Sequence, residues 1–152
     1  MESLPYQPGD EPLMRRAIQE ATRAFEKDEV PVGAIIVIGN QIIGRGHNQV
    51  ELLNDSTAHA EIIAITAAAQ YLNSKYLPEA TVYVTLEPCI MCAGALFWSK
   101  VGRVVYGASD AKNGYRSCCG GKNPFHPKTS ICSGLLADEC GALMTDFFRK
   151  KR

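Results

Sequence analysis

The 152-residue sequence lacks the features that mark membrane, secreted and repetitive proteins. No stretch approaches the roughly 18 uncharged apolar residues that a membrane-spanning helix needs. The first ten residues are acidic and contain two prolines, so they do not have the basic and then apolar pattern of a secretory signal. Internal repeats and low-complexity tracts are also absent. We therefore expect a single globular domain over residues 1–152, cytoplasmic and without membrane contact.

The sequence has no net charge, because 16 Lys and Arg balance 16 Asp and Glu, but the two signs are unevenly distributed. Residues 1–97 contain 6 basic and 12 acidic side chains, whereas residues 98–152 contain 10 basic and 4 acidic ones. The chain ends in four consecutive cations, 149–152. These cations are either the solvated end of a helix, where they suit its dipole, or an edge that faces phosphates.

The six cysteines are unevenly spaced, and a chain of this size does not need disulfides to fold. We therefore expect reduced thiols. Only Cys89 and Cys92, which form a C-x-x-C pair, have the spacing of metal ligands.

Hydrophobic periodicity and β-branched runs divide the chain into alternating helices and strands. The predicted helices cover residues 11–27, 60–72, 89–98 and 136–149, the predicted strands cover 34–38, 41–47, 81–85, 101–106 and 129–133, and 111–128 is a long irregular loop. Strands 81–85 and 101–106 enclose a helix and so predict a βαβ unit with parallel strands. The predicted fold is α/β, a three-layer α/β/α sandwich with a central mixed five-stranded sheet.

Two short motifs combine the ligands that zinc prefers. His59 precedes one predicted helix, and Pro88, Cys89 and Cys92 lie at the start of another. One imidazole and two thiolates are three protein ligands, which leaves the fourth tetrahedral position for water, as in catalytic zinc sites. We therefore predict one catalytic Zn²⁺ per chain, bound by His59, Cys89 and Cys92.

Glu61 is the candidate proton shuttle, because it lies two residues from a ligand and can reach the same water without binding the metal. Residues two apart on a regular helix point about 200° away from each other. His59 is therefore expected at an irregular first position of its helix, so that its side chain and that of Glu61 converge.

Other interpretations of these motifs remain open. The C-x-x-C pair alone is also typical of a redox pair or of a structural zinc site. A structural site needs a fourth protein ligand, and the candidates are Cys118, Cys119, Cys132, His47 and His126. The combination of H-x-E with P-C-x-x-C is more specific than either half, and it is the signature of zinc-dependent nucleobase deaminases.

Further motifs accompany the zinc residues over nearly the whole chain. They are Glu29–Ala34, Gly46–Asn48, Thr57–Ile62, Thr81–Cys89, Met91–Ala95, Gly107–Lys112, Gly134–Cys140 and Asp146–Arg149. With these motifs the sequence resembles the cytidine deaminase superfamily and, more closely, its bacterial tRNA-specific adenosine deaminases. The segment 115–127, with Cys118-Cys119 and Gly120-Gly121, departs most from the pattern of that family.

The resemblance implies a hydrolase that deaminates adenosine to inosine at the wobble position, the first anticodon position, of a tRNA. Glu61 would be the catalytic acid and base in this reaction, and a flipped-out adenine would be the reacting base. The alternative is a deaminase of a free nucleobase or nucleoside, such as guanine or cytosine, that uses the same zinc site.

The resemblance also implies substrate contacts and a partner. Asn48 would hydrogen-bond the base, Val32 and Ala60 would line its pocket, and Asp110 would hold the flanking nucleotides. Phe148 and Arg149 would contact the anticodon stem-loop. Each has a simpler interpretation: core packing for Val32, a turn for Asn48, a cap for Asp110 and rim packing for Phe148. A homodimer is implied as well, with residues 93–98 as either interface or core.

Overall fold

A five-stranded mixed sheet forms the centre of the protein, in a computed structural model that describes residues 5–151. The strand order is β2-β1-β3-β4-β5. The helices and strands are α1 Asp10–Glu26, β1 Gly33–Ile38, β2 Gln41–His47, α2 Val50–Leu53, α3 Ala60–Leu72, β3 Thr81–Leu86, α4 Ile90–Ser99, β4 Arg103–Ala108, α5 Tyr115–Cys118, β5 Ser130–Ser133 and α6 Ala137–Lys150. The expected sandwich and its five-stranded sheet are confirmed.

The strand directions bring four strand ends to one edge of the sheet. β1 is antiparallel to both β2 and β3, whereas β3, β4 and β5 are parallel to one another. The first residues of β1 therefore lie beside the last residues of β2, β3 and β4. We call this edge, where Gly33, His47, Leu86 and Ala108 lie, the carboxyl edge. Loops at such an edge are the usual place for ligands in open α/β sheets.

Each face of the sheet is covered by two helices. α3 and α4 enclose one hydrophobic cluster, which includes Ile36, Val84 and Leu96, and α1 and α6 enclose the other, which includes Met14 and Val105. β3 and β4 are covered on both faces, so they are almost continuously apolar instead of alternating. No helix within residues 5–151 is long and apolar enough to cross a membrane.

α3 packs unusually closely on the hairpin strand β2. A Cβ atom on Gly46 would overlap the main-chain carbonyl of Ala60 and press on the main-chain nitrogen of Ala64. Only glycine allows the helix backbone to approach the strand this closely. This contact fixes the first turn of α3 at the carboxyl edge.

The structure contains two short helices that the sequence pattern did not predict, and β4 lies two residues later than predicted. α2 and α5 have four residues each, which is too short for a helical period to be visible. β4 begins at Arg103 instead of residue 101, because the apolar Val101 is buried in the turn that precedes the strand.

A buried ion pair joins α1 to the opposite edge of the sheet. Both guanidinium nitrogens of Arg103 donate to the carboxylate of Asp10, each at 2.7 Å, and the Tyr83 hydroxyl also donates to it at 2.7 Å. Burial by itself would raise the pKa of Asp10, but these donors and the main-chain N–H of Gln7 lower it below its ordinary value of 3.8. The carboxylate therefore stabilises the fold in its ionised form.

Replacing Asp10 with Ala should lower the free energy of unfolding by about 3–5 kcal/mol at neutral pH, because Arg103 is left buried without its partner. The contribution of a carboxyl whose pKa is lowered by folding is complete above the unfolded value and is lost as pH falls through the folded one. The difference between the two proteins should therefore shrink below pH 3.8.

Urea unfolding of the wild type and of Asp10→Ala at several pH values measures this, with Asp138→Ala on the exposed side of α6 as the control. A difference that stays constant down to the lowest pH at which the protein folds would contradict the assigned role of Asp10.

Candidate metal centre

Two helices begin at the carboxyl edge, and each is preceded by a side chain that can bind zinc. His59 is the residue before α3, with φ −76° and ψ 156°, and Cys89 is the residue before α4, with φ −72° and ψ 172°. Both therefore have extended backbone and stand just outside the regular helix. Cys92 is buried in the first turn of α4.

The three side chains converge on one point. The Nδ1 atom of His59 lies 3.6 Å from the Sγ atom of Cys89 and 3.6 Å from that of Cys92, and all three atoms lie within 4.8 Å of one another. A nitrogen and a sulfur bonded to the same tetrahedral zinc ion are about 3.6 Å apart, given bond lengths of about 2.0–2.1 and 2.3 Å. The donor atoms therefore have both the chemistry and the spacing for zinc.

The surroundings favour a thiolate at Cys89. The Cys92 thiol and the His59 ring donate hydrogen bonds to the Cys89 sulfur, and together they lower the pKa of Cys89 to about 4. The unpaired N–H groups at the start of α4 add a favourable dipole. The hydrogen bond to Cys89, together with burial, raises the pKa of Cys92.

Glu61 lies beside this group and is almost completely buried, with 4% of its surface exposed. Its carboxyl group interacts with the Cys92 sulfur, and burial raises the pKa of Glu61 to about 7. The extended backbone of His59 lets the two side chains converge although they are only two residues apart. The expectation of an irregular first position at His59 is confirmed.

Among residues 5–151, the group that could hold a metal consists of His59, Cys89 and Cys92 alone. None of the residues considered as a fourth ligand belongs to it. Glu61 does not belong to it either, which fits a residue that moves protons and does not bind the metal. The arrangement therefore leaves a coordination position for a small molecule, as a catalytic site requires and a structural site does not.

The residues expected around the base lie at the same edge. The main-chain N–H of Asn48 donates to the carbonyl of Val32 at 3.1 Å, which joins the end of β2 to the start of β1. The Asn48 side-chain oxygen accepts from the N–H of Val50 at 3.2 Å, so Asn48 also has the turn role that was its simpler interpretation. Val32 packs against the core, and Ala60 is fully buried next to His59.

Asp110 lies on the loop that follows β4, where its side chain caps a turn. Its carboxylate accepts from the N–H groups of Lys112 at 3.2 Å and Asn113 at 3.0 Å. Phe148 is 46% exposed on α6. The end of α6 lies beside the end of α1, because Phe147 packs on Phe25 with ring centres 6.1 Å apart.

The α6 terminus is therefore close to the segment that leads from α1 into β1 at the carboxyl edge. The Lys151 ammonium and the Asp28 carboxylate form an ion pair at 2.6 Å on this segment. The Arg149 side chain is 72% exposed and only loosely paired with Asp146, at 3.7 Å. Of the four terminal cations, Arg152 lies outside the described residues.

Sequence reasoning did not identify the role of Glu87, which is 4% exposed and directly precedes the Pro88-Cys89 turn. Its two carboxylate oxygens accept the main-chain N–H groups of Asp110 at 3.1 Å and Arg116 at 2.9 Å. A Cβ on Gly114 would overlap this carboxylate, and Gly114 itself forms a β-bridge with Cys89. Glu87 therefore holds the loop after β4 against the turn that carries Cys89. The only sequence signal was an acidic residue next to the cysteine motif.

Comparison with known proteins supports this site. Residues 8–108 match the family described as cytidine and deoxycytidylate deaminase zinc-binding region. The chain is 45% identical over 150 residues to the tRNA-specific adenosine deaminase of Bacillus subtilis, across 94% of this chain and 91% of that protein.

Solved structures show the same fold. One comes from a study of A-to-I editing by tRNA:A34 deaminases at the wobble position of transfer RNA; it has a TM-score of 0.80 and 40% identity over 86% of this chain and 97% of that one. A guanine deaminase from Bacillus subtilis has a TM-score of 0.63 and 33% identity over 74% of this chain and 69% of that one. The family match, the relative that aligns over nearly the whole chain and the His-Cys-Cys group all indicate a zinc-dependent deaminase. The chain belongs to the cytidine and deoxycytidylate deaminase family of zinc-dependent hydrolases.

Proposed function

We propose that the protein hydrolyses adenosine to inosine at the wobble position of a tRNA, with release of ammonia. The observation that carries this proposal is the His59–Cys89–Cys92 group with the buried Glu61 beside it. Two relatives support adenosine in tRNA as the substrate. One is the tRNA-specific adenosine deaminase of Bacillus subtilis, to which this chain is 45% identical, and the other is the structure from the study of wobble-position editing.

His59, Cys89 and Cys92 would hold the zinc ion, which when bound supplies a Lewis acid that lowers the pKa of a water molecule. Glu61 moves the protons. Its carboxylate takes the first proton from the attacking water and gives it to ring N1 of the adenine. It then takes the second proton from the hydroxyl group now on C6 and gives it to the departing amine, so that water and adenosine become inosine and ammonia. Burial holds the carboxyl group in one position and keeps bulk water from competing for the proton.

The groups around the site select the substrate. Val32 and Ala60 form apolar walls, and Asn48 provides an amide for the edge of the base. The exposed Phe148 and Arg149 at the end of α6 provide an aromatic surface and a cation for the splayed anticodon loop. Asp110, fixed through its main-chain N–H to Glu87, holds the flanking nucleotide.

A free nucleobase is the alternative substrate, and the fold shared with the guanine deaminase favours it. Incubating the purified protein with an anticodon stem-loop and, separately, with guanine, cytosine and adenosine distinguishes the two. We expect inosine in the RNA and no ammonia from the free compounds. Ammonia from a free base, without inosine in the RNA, would establish the alternative.

Replacing Glu61 with Gln should lower kcat on the stem-loop by about 10²–10⁴-fold, because the side chain keeps its shape but no longer accepts a proton. The zinc content, measured by atomic emission, should stay at one ion per chain. Glu79→Gln, on the exposed turn before β3, serves as the control. If Glu61→Gln loses zinc and activity together, Glu61 binds the metal and its assigned role is wrong.

Replacing Arg149 with Gln should weaken tRNA binding and reduce its dependence on salt. Each lost phosphate contact removes about 0.7–0.9 from the slope of log K against log salt concentration. Binding measured between 50 and 200 mM salt (roughly the range where this effect is large) checks the slope, with the exposed Arg16→Gln on α1 as the control. An unchanged slope would remove the α6 terminus from the tRNA interface.

We also propose that the protein is a cytoplasmic homodimer. Ile90, Gly94 and Trp98 lie on one face of α4, where Ile90 is 55% and Trp98 is 74% exposed. Large apolar side chains exposed on one helix face are typical of an interface. All six cysteines are free thiols, which suits a reducing compartment.

Trp98→Glu should convert the dimer to a monomer in sedimentation velocity experiments, because the new charge would be buried without a partner. Lys100→Glu, at the exposed end of the same helix, controls for the added negative charge. A wild-type protein that sediments as a monomer at micromolar concentration would refute the dimer.

A further inference from the structure

A cavity of about 450 Å³ opens at the carboxyl edge, next to the metal centre. It is lined by Glu87, Ser109, Asp110, Ala111, Tyr115, Arg116, Ser117, Gly121 and Lys122. It adjoins the zinc-binding turn, because Glu87 is two residues from Cys89 and the Tyr115 N–H donates to the carbonyl of Pro88 at 2.9 Å. All of its lining residues except Glu87 lie beyond residue 108, where the match to the zinc-binding family region ends. Apart from Glu87, the cavity is therefore formed outside the matched zinc-binding region.

The wall of the cavity is held in place. Glu87 accepts the N–H of Arg116 at 2.9 Å, which fixes the main chain at that residue. Tyr106 is the largest of the influences that raise the pKa of Arg116. Arg116 is thus an exposed cation whose main chain is fixed next to the zinc-binding turn.

The charges around the cavity are not equally available to a ligand. The carboxylates of Glu87 and Asp110 each accept two main-chain N–H groups, so much of their hydrogen-bonding capacity is already used. Arg116 and Lys122 are exposed, and no acidic side chain in residues 5–151 forms an ion pair with either. The Ser117 hydroxyl also has a partner, because it donates to the carbonyl of Ala111 at 2.7 Å. The groups that remain to meet a phosphate are the two cations and the hydroxyl of Ser109.

Two cations with a hydroxyl group beside them are usual contacts of a nucleic-acid phosphate. A volume of this size lies within the range of about 300–1,000 Å³ that accepts a small ligand, and it has room for one nucleotide unit. We propose that the cavity binds a phosphodiester of the RNA strand beside the reacting adenosine, with Arg116 and Lys122 as its cationic contacts. This inference rests on the proposed function, and it assigns binding of the RNA strand to residues 115–122, which comprise α5 and the turn after it.

The double variant Arg116→Gln/Lys122→Gln tests it, because glutamine removes each charge and keeps a long polar side chain. Its matched control is Arg16→Gln/Lys128→Gln, which removes two exposed cations that do not line the cavity. The probe is an anticodon stem-loop RNA, for which both Kd by fluorescence anisotropy and inosine formation are measured.

We expect the cavity variant to raise Kd and KM at least tenfold, with kcat within twofold of wild type and the control unchanged. The slope of log K for binding against log salt concentration should become less steep by about 0.7 for each lost contact to single-stranded RNA. Replacing the phosphates on either side of the adenosine with methylphosphonate, one at a time, should identify one position that weakens binding to the wild type but not to the cavity variant.

The outcomes separate the two proposals. Equal Kd values for the wild type and the cavity variant, or equal sensitivity of both to every methylphosphonate, overturn the cavity assignment whether or not inosine forms. Weaker binding by the cavity variant, when the wild type forms no inosine, supports the phosphate site and refutes the proposed editing reaction.

Discussion

The site depends on two residues that stand just before helices in extended backbone. His59 and Cys89 both occupy this position, and the strand directions bring the two helix starts to the same edge of the sheet. Inside a regular helix, His59 and Glu61 would point in nearly opposite directions. His59 could then not bind a metal ion while Glu61 transfers protons beside it. The positions at which α3 and α4 begin therefore bring His59, Cys89 and Glu61 together.

A second constraint is the buried carboxylate of Glu87. It lies between the zinc-binding turn and the loop after β4, and it accepts main-chain N–H groups from that loop instead of facing a cation. A buried carboxyl group needs such donors, because it cannot be solvated by water. The turn that carries Cys89 and the loop to which we assign the RNA contacts are thus joined by one side chain.

Much of this arrangement follows from local patterns along the chain. The helix at 60–72 is predicted because it is apolar, rich in alanine and free of Gly and Pro. The hairpin before it is predicted within one residue, because β-branched runs flank a two-residue turn. The zinc residues are predicted from ligand chemistry and spacing. The short helices α2 and α5 and the role of Glu87 are not, because they depend on contacts between segments about 20 to 30 residues apart, which no local period records.

The close approach of α3 to β2 at Gly46 has a consequence for engineering this protein. Since not even a methyl group fits between helix and strand at this point, a side chain at position 46 would push α3, and Glu61 with it, away from the sheet. Libraries aimed at new substrates should leave this interface intact and diversify the loop after β4 and the last turn of α6.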